Sequence, residues 1–175
     1  LLAEEHRRFS ILLDVLAAEL ALFHRGEQPD YDLLQDVFFY LTNYPDRFHH
    51  PKEDLLFAAI AERAPQTHEF VQELGRQHGQ IADAGARFLA KLQAVLNDGM
   101  LTREEVEQPA LEYIALYRAH LALEEREIFA LGDECLRPED WARIGANYTA
   151  RDPVCGAVLD PRYLSLRSQV TQPAS

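Results

Sequence analysis

Cysteine is scarce in this chain: 175 residues contain two, Cys135 and Cys155, and no Cys-x-x-Cys pair. That leaves no disulfide framework, redox motif or zinc ribbon, and reduced structural thiols are expected. The 8 glycines never cluster into a phosphate-cradling loop, and there is neither a nucleophile elbow nor an internal repeat. Positive charge is also short. Against 29 acidic residues stand 17 Lys and Arg, a net charge of −12 with no basic stripe, which speaks against nucleic acid and anionic membranes as partners. Apolar runs such as Leu55 to Ala61 fall far below the roughly 20 residues that span a bilayer, so no membrane helix is expected. The chain begins at Leu1 without Met, which leaves room for a trimmed leader, and what is visible reads as cytoplasmic.

What the chain does have is helical periodicity, with histidine and glutamate set into it. A hydrophobic content of 47% over this length suits one domain with its own core. Over about Ala3 to His24 the apolar stripe runs Phe9, Leu13, Leu16, Leu20, Phe23, and one step back along the same face lies His6. From Asp30 to Arg63 the seam is Leu34, Phe38, Leu41, His49, Glu53, Leu56, Ile60. From Gln66 to Leu96 it is Phe70, Leu74, His78, Ile81, Gly85, Phe88, Leu92, with Gly85 placed to let a neighbouring helix come close. From Thr102 to Leu131 it is Val106, Ala110, Tyr113, Tyr117, His120, Glu124, Ile128, Leu131. Polar groups on such seams are costly unless something satisfies them, and a metal would satisfy them together.

Distance from the turns gives an independent test. His6 to Arg25 is 19 residues and Asp30 to His49 is again 19, so at 1.5 Å per residue both lie about 28 Å from the first turn. Glu53 stands 12 residues before Pro65 and His78 stands 11 after Thr67. His78 is 20 before Asp98, and His120 is 18 after Thr102, the expected N-cap. Four antiparallel helices thus bring these residues to one layer.

The expected fold is all-α, an up-down-up-down four-helix bundle over residues 1–131. Pro45 and Pro51 predict a kink or break in the second helix between Asn43 and Pro51, Pro109 disturbs the start of the fourth, and Gly132 ends it. A C-terminal extension over 132–175 comes next, packed on the bundle or partly disordered, with a short helix over Pro138 to Tyr148 anchored by Trp141.

Residues four apart on a helix are separated by about 40° around its axis, so His49 with Glu53 and His120 with Glu124 each set an imidazole beside a carboxylate. A carboxylate has two oxygens and can bridge two cations. Two facing pairs define a dinuclear centre, with His6, His50 and His78 at the outer positions. Five histidines and two carboxylates are richer in nitrogen than the ferritin-like set, whose Glu-x-x-His motif is missing here. The donor set suits iron, with manganese or zinc as possible substitutes. His24 and His68, near helix ends, read as solvated.

These residues resemble the hemerythrin-like, or HHE cation-binding, family. The strongest piece is Phe48-His49-His50-Pro51-Lys52-Glu53-Asp54 followed by Leu56-Phe57, and the likeness covers about Ala3 to Leu131. It implies an oxo- or hydroxo-bridged pair of iron ions, held by His6, His49, Glu53, His78, His120 and Glu124, with His50 as the second His of the family signature. Two departures stand out. Hemerythrin carries a second histidine one turn earlier on the third helix, where this chain has Leu74, and His50 either replaces that nitrogen or supports a ligand from outside. Its fourth helix places an aspartate five residues after the histidine, where Glu125 stands here and competes with Glu124; helical geometry favours Glu124.

The implied function is binding, sensing or storage of dioxygen or a related small molecule, nitric oxide or peroxide. The rival is a di-iron enzyme with oxidase, peroxide-decomposing or iron-centre repair chemistry; a third reading is an iron store or a metal-free scaffold. Tyr113 and Tyr117 read first as core aromatics. Tyr117, one turn from His120, is placed to reach a bound small ligand. The oligomeric state stays open.

Overall fold

Residues 2–97, 99–146 and 164–171 are described by a computed structural model, and every regular element among them is helical. The first rod of the bundle is α1 (Leu2–His24). The second is α2 (Tyr31–Tyr44), a widened π-helical turn (Pro45–His49) and α3 (His50–Arg63) in direct succession. A 3-10 turn (Pro65–Thr67) leads into the third rod, α4 (His68–Leu96). The fourth is α5 (Arg103–Leu123), a second π-helical turn (Glu124–Ile128) and α6 (Phe129–Cys135). Two further short helices are found among the described residues, α7 (Pro138–Ala146) and α8 (Leu164–Thr171).

Local chemistry sets the ends of these rods. Gly26, at φ +77°, closes α1: its N–H reaches the Phe23 carbonyl while the Glu27 N–H reaches that of Leu22, each at 3.0 Å. Asp30 caps α2 by accepting from the Leu33 N–H, and Thr102 with Glu105 forms a reciprocal capping box on α5.

Cross-links between rods fix their directions. On α4 the partners Gln77, Arg87 and Lys91 meet His120, Glu112 and Glu105 in turn, so one number rises as the other falls. Likewise Asp14 and His24 of α1 meet Arg118 and Glu107 of α5. Both pairs of rods are antiparallel. The apolar core comes in two parts. The larger contains Phe9, Leu13, Leu16, Phe38, Leu41, Phe88, Tyr113 and Tyr117, and the smaller contains Leu56, Phe57, Ile60, Leu74 and Ile128. The polar seam residues lie at their junction, and no described helix is long and apolar enough to cross a membrane.

The structure refines one expectation and corrects three others. The expected kink or break between Asn43 and Pro51 takes the form of the π-helical turn at Pro45–His49, which interrupts the regular α-helix without ending the rod. Pro51 lacks an N–H and its ring crowds the carbonyl four residues back; the widened turn carries the His50 N–H to the Pro45 carbonyl instead, and the rod continues. Pro109 lies inside an unbroken α5. Gly132 does not end the fourth rod, which runs on to Cys135; it lies inside α6, where a Cβ would meet Leu56 at 3.5 Å and the Trp141 ring at 3.6 Å, ordinary contact distances. Trp141 is 42% exposed, and the buried residue of α7 is Asp140, whose two oxygens take the Arg63 guanidinium at 2.8 and 3.1 Å.

The expected division at residue 131 falls inside α6, and α8 packs against α1 and α2 with Leu166 and Val170 buried. Tyr148 and Cys155 lie outside the described residues; Cys135 is a free thiol.

Gly85 does admit a close neighbour. A Cβ there would stand 3.1 Å from Thr42 Cγ2 and 3.2 Å from Tyr113 Cε2. Gly85→Val should therefore lower stability by about 1–3 kcal/mol through overpacking. Urea unfolding in the presence of chelator measures this, and unchanged stability would mean that α2 and α5 do not need that approach.

Candidate metal centre

Each rod delivers its polar residues to the junction of the two core parts. His6, one turn into α1, places Nε2 3.1 Å from His49 Nε2 and 3.1 Å from Glu53 Oε1, while His49 Nε2 lies 2.8 Å from that same oxygen. These spacings have a plain meaning. Around one cation with metal–ligand bonds of about 2.1 Å, donors at right angles stand about 3.0 Å apart, a spacing that these three atoms match. On the other side, Glu124 Oε1 lies 3.2 Å from His120 Nε2 and 3.7 Å from His78 Nε2, and Glu53 Oε2 lies 3.5 Å from His78 Nε2. Two donor groups result, His6–His49–Glu53 and Glu53–His78–His120–Glu124, with Glu53 common to both.

Both carboxylates divide their oxygens between the groups. Glu53 turns Oε1 to His6 and His49 and Oε2 to His78; Glu124 turns Oε1 to His120 and His78 and Oε2 to His6, at 3.5 Å. Of the six, only His78 keeps appreciable exposure, 12% of its side chain. Among the described residues, His6 Nδ1, His50 Nε2, Glu53 Oε2, His78 Nε2, His120 Nε2 and both Glu124 oxygens are buried without a hydrogen-bond partner. So many unpaired polar atoms in one buried place mark a donor set for a cation.

His50 stands apart from both groups. Its Nδ1 meets Asp46 Oδ1 at 3.0 Å, and its ring stacks on His78 with centroids 3.8 Å apart. Glu125 is half-exposed, yet its Oε1 lies 3.3 Å from His6 Nδ1, on the outer side of that ring. Leu74 is a core residue of the smaller cluster. Tyr113 spends its hydroxyl on the Leu41 carbonyl, at 3.4 Å, whereas the buried Tyr117 hydroxyl has no partner among the described residues. Burial, reinforced by Tyr113 and Glu53, holds the Tyr117 phenol well above its ordinary range, so it stays protonated. His24 and His68 are exposed, as expected.

Three outer partners went unnoticed in the sequence. Glu5 Oε2 holds His49 Nδ1 at 2.7 Å, Gln77 Oε1 holds His120 Nδ1 at 3.1 Å, and Asp46 holds His50. Glu5 precedes Phe9 by four and Asp46 precedes His50 by four, so helical spacing carried a signal for both. Nothing local marks Gln77, which meets His120 only through packing of α4 on α5.

The charges are interlocked. Burial disfavours the charged form of His49, but Glu53 and Glu5 outweigh it and raise its pKa to about 9. For His78 the same opposition, settled by Glu124 and Glu53, also leads to about 9. Burial pushes Glu53 up, and His49, His6 and His78 overcome this and hold it well below the usual carboxylate range. Glu124 is likewise lowered by His120 and His78 against burial.

In the metal-free protein these shifts make stability depend on pH. His49 and His78 bind protons more tightly folded than at the ordinary 6.5, so their contribution to stability is full below pH 6.5 and is lost as pH rises through about 9. Glu53 and Glu124 act oppositely, contributing above the ordinary 4.5 and losing this on acidification. In chelator, unfolding free energy should peak between about pH 4.5 and 6.5 and fall toward pH 9; a denaturation series that rises across pH 7–9 would contradict the arrangement.

Comparison with known proteins agrees with this geometry. The family model for the hemerythrin HHE cation binding domain matches residues 1–131. An uncharacterized protein of Haemophilus influenzae is 28% identical over 150 residues, covering 85% of this chain and 81% of that protein. No solved structure gives a significant match. The matched span holds all four rods up to α6 and every member of the two donor groups, and on that ground the chain belongs to the hemerythrin HHE cation binding domain family.

Proposed function

We propose that the chain holds two iron ions, one in each donor group, and uses them to bind, sense or store dioxygen or a related small molecule such as nitric oxide or peroxide. One observation carries this reading: His6 Nε2, His49 Nε2 and Glu53 Oε1 stand 2.8–3.1 Å from one another, the spacing of donors on one face of a six-coordinate cation. Two imidazoles and one carboxylate are a donor set that would suit ferrous iron; manganese or zinc would be substitutes.

Iron in this setting supplies electrons and open coordination positions to a small ligand. The chain's own residues do the rest. Glu53 and Glu124, each with its oxygens divided between the two groups, would bridge the two positions and balance their charge. Phe9, Phe57 and Phe129, whose rings lie near those of His49, His78 and His6, keep bulk water from the centre. His50 acts as a second layer behind His78, on which it stacks.

An enzymatic reading has one specific support, the unpartnered, protonated hydroxyl of Tyr117. A phenol so placed can deliver a proton to a ligand being reduced. The binding reading is preferred because Tyr117 also packs as a core aromatic, against Phe9 and Tyr113.

The stoichiometry should be two ions per chain, and Glu53→Ala or Glu124→Ala should each lower it and reduce stability together with metal content. Metal analysis after anaerobic loading with ferrous iron checks this. Two tightly held ions in the double variant would remove the bridging assignment. Binding and catalysis separate at Tyr117: mixing the ferrous protein with dioxygen or hydrogen peroxide in stopped flow should give a lasting ligand-bound spectrum, whose lifetime Tyr117→Phe alters. Rapid multiple turnover that falls by about 100-fold in Tyr117→Phe would make the protein an enzyme with Tyr117 as its acid.

A further inference from the structure

The four histidines with an oxygen behind the outer ring nitrogen are not backed alike. Behind His6, His49 and His50 stand the carboxylates of Glu125, Glu5 and Asp46; behind His120 stands the neutral amide of Gln77. Among the carboxylates only Glu5 is buried, whereas the side chains of Glu125 and Asp46 are about half-exposed. Water screens those two. It does not screen Glu5.

Glu5 is also fixed in place. While Oε2 takes the His49 Nδ1–H at 2.7 Å, Oε1 accepts from the Lys52 ammonium and from the Tyr44 hydroxyl, so the carboxylate has no freedom to turn away. Lys52 is itself buried. A buried ion pair is a poor source of stability, since apolar residues of similar volume serve a core as well or better. Its presence against one histidine of the centre points to a role there.

We propose that Glu5 is a positioning residue for the His6–His49–Glu53 group, one that makes the two cation positions unequal. By accepting the Nδ1–H it fixes the His49 tautomer with the Nε2 lone pair inward, and its carboxylate, shielded from water and shared with Lys52 through the other oxygen, strengthens that nitrogen as a donor more than a neutral acceptor does. The Gln77 amide fixes His120 in the same way without adding charge; its own N–H₂ is turned to Glu73. The chain therefore orients both rings and enriches only one. This rests on the two-cation reading of the centre.

The test uses the full chain and cobalt(II) alone as probe, titrated without oxygen and followed by optical absorption and proton NMR. Wild type should bind two ions in separable steps. Glu5→Gln, which keeps the shape and removes the charge, should weaken one ion by about 10–100-fold and leave the other within about threefold. Gln77→Glu, the mirror change, should tighten the ion that wild type holds less well. In the cobalt-loaded protein the His49 Nδ1–H should give a shifted resonance in slow exchange with water, and Glu5→Gln should speed that exchange, an effect that a purely packing role would not produce.

Fewer than two ions in wild type overturns the two-cation reading and this inference with it. Two ions in wild type, with Glu5→Gln weakening neither or both equally, overturns this inference alone. Should Glu5→Gln fail to fold, Gln77→Glu decides by itself, and an unchanged weaker step in that variant counts against the assignment.

Discussion

Taking carboxylates and imidazoles out of water inside a helical bundle costs several kcal/mol per charged group unless each is answered by an opposite charge. That constraint shapes everything around the centre. Glu53 and Glu124 are almost wholly buried, and each is met on both oxygens by imidazoles from different rods. In the metal-free state protons on His49 and His78 answer them. A cation held by these groups would replace those protons and take the lone pairs of the imidazoles. Metal binding is thereby coupled to folding and to proton release.

The two π-helical turns lie at the level of the centre, one just before His50 and one beginning at Glu124. Widening a helix by one residue per turn shifts the register of the next turns, and such widened turns recur at functional sites. Here the first lets His49 and His50 both enter the interior, one beside His6 and the other against His78. The second begins where Glu124 enters the site, while Glu125 passes to the outer side of His6. The prolines account for the first, since Pro51 cannot make the regular bond and crowds the turn before it. For the second no comparable residue is present.

An inner ring of donors held by an outer ring of acceptors keeps the imidazoles oriented. Glu5, Gln77 and Asp46 each fix one tautomer, and the apolar rings of Phe9, Phe57 and Phe129 close the space around them. The only phenol of this neighbourhood left without a partner among the described residues is Tyr117.

Periodicity by itself determined the four rods, the seams that carry His6, His49, Glu53, His78, His120 and Glu124, and the common height at which they meet. Helical spacing is local, and short turns convert it into height without further information. The close approach at Gly85 was legible for the same reason. Sequence could not decide how the second rod would accommodate Pro45 and Pro51, because a proline forbids the regular bond without saying what replaces it. It misjudged Gly132, which lies inside α6 and does not end the helix. The partition of His50 behind His78, the outer place of Glu125 and the meeting of Gln77 with His120 all depend on which side chains face each other across rods. Only the tertiary packing fixes that, since helix rotation is set by the whole buried interface and not by the spacing within any one helix.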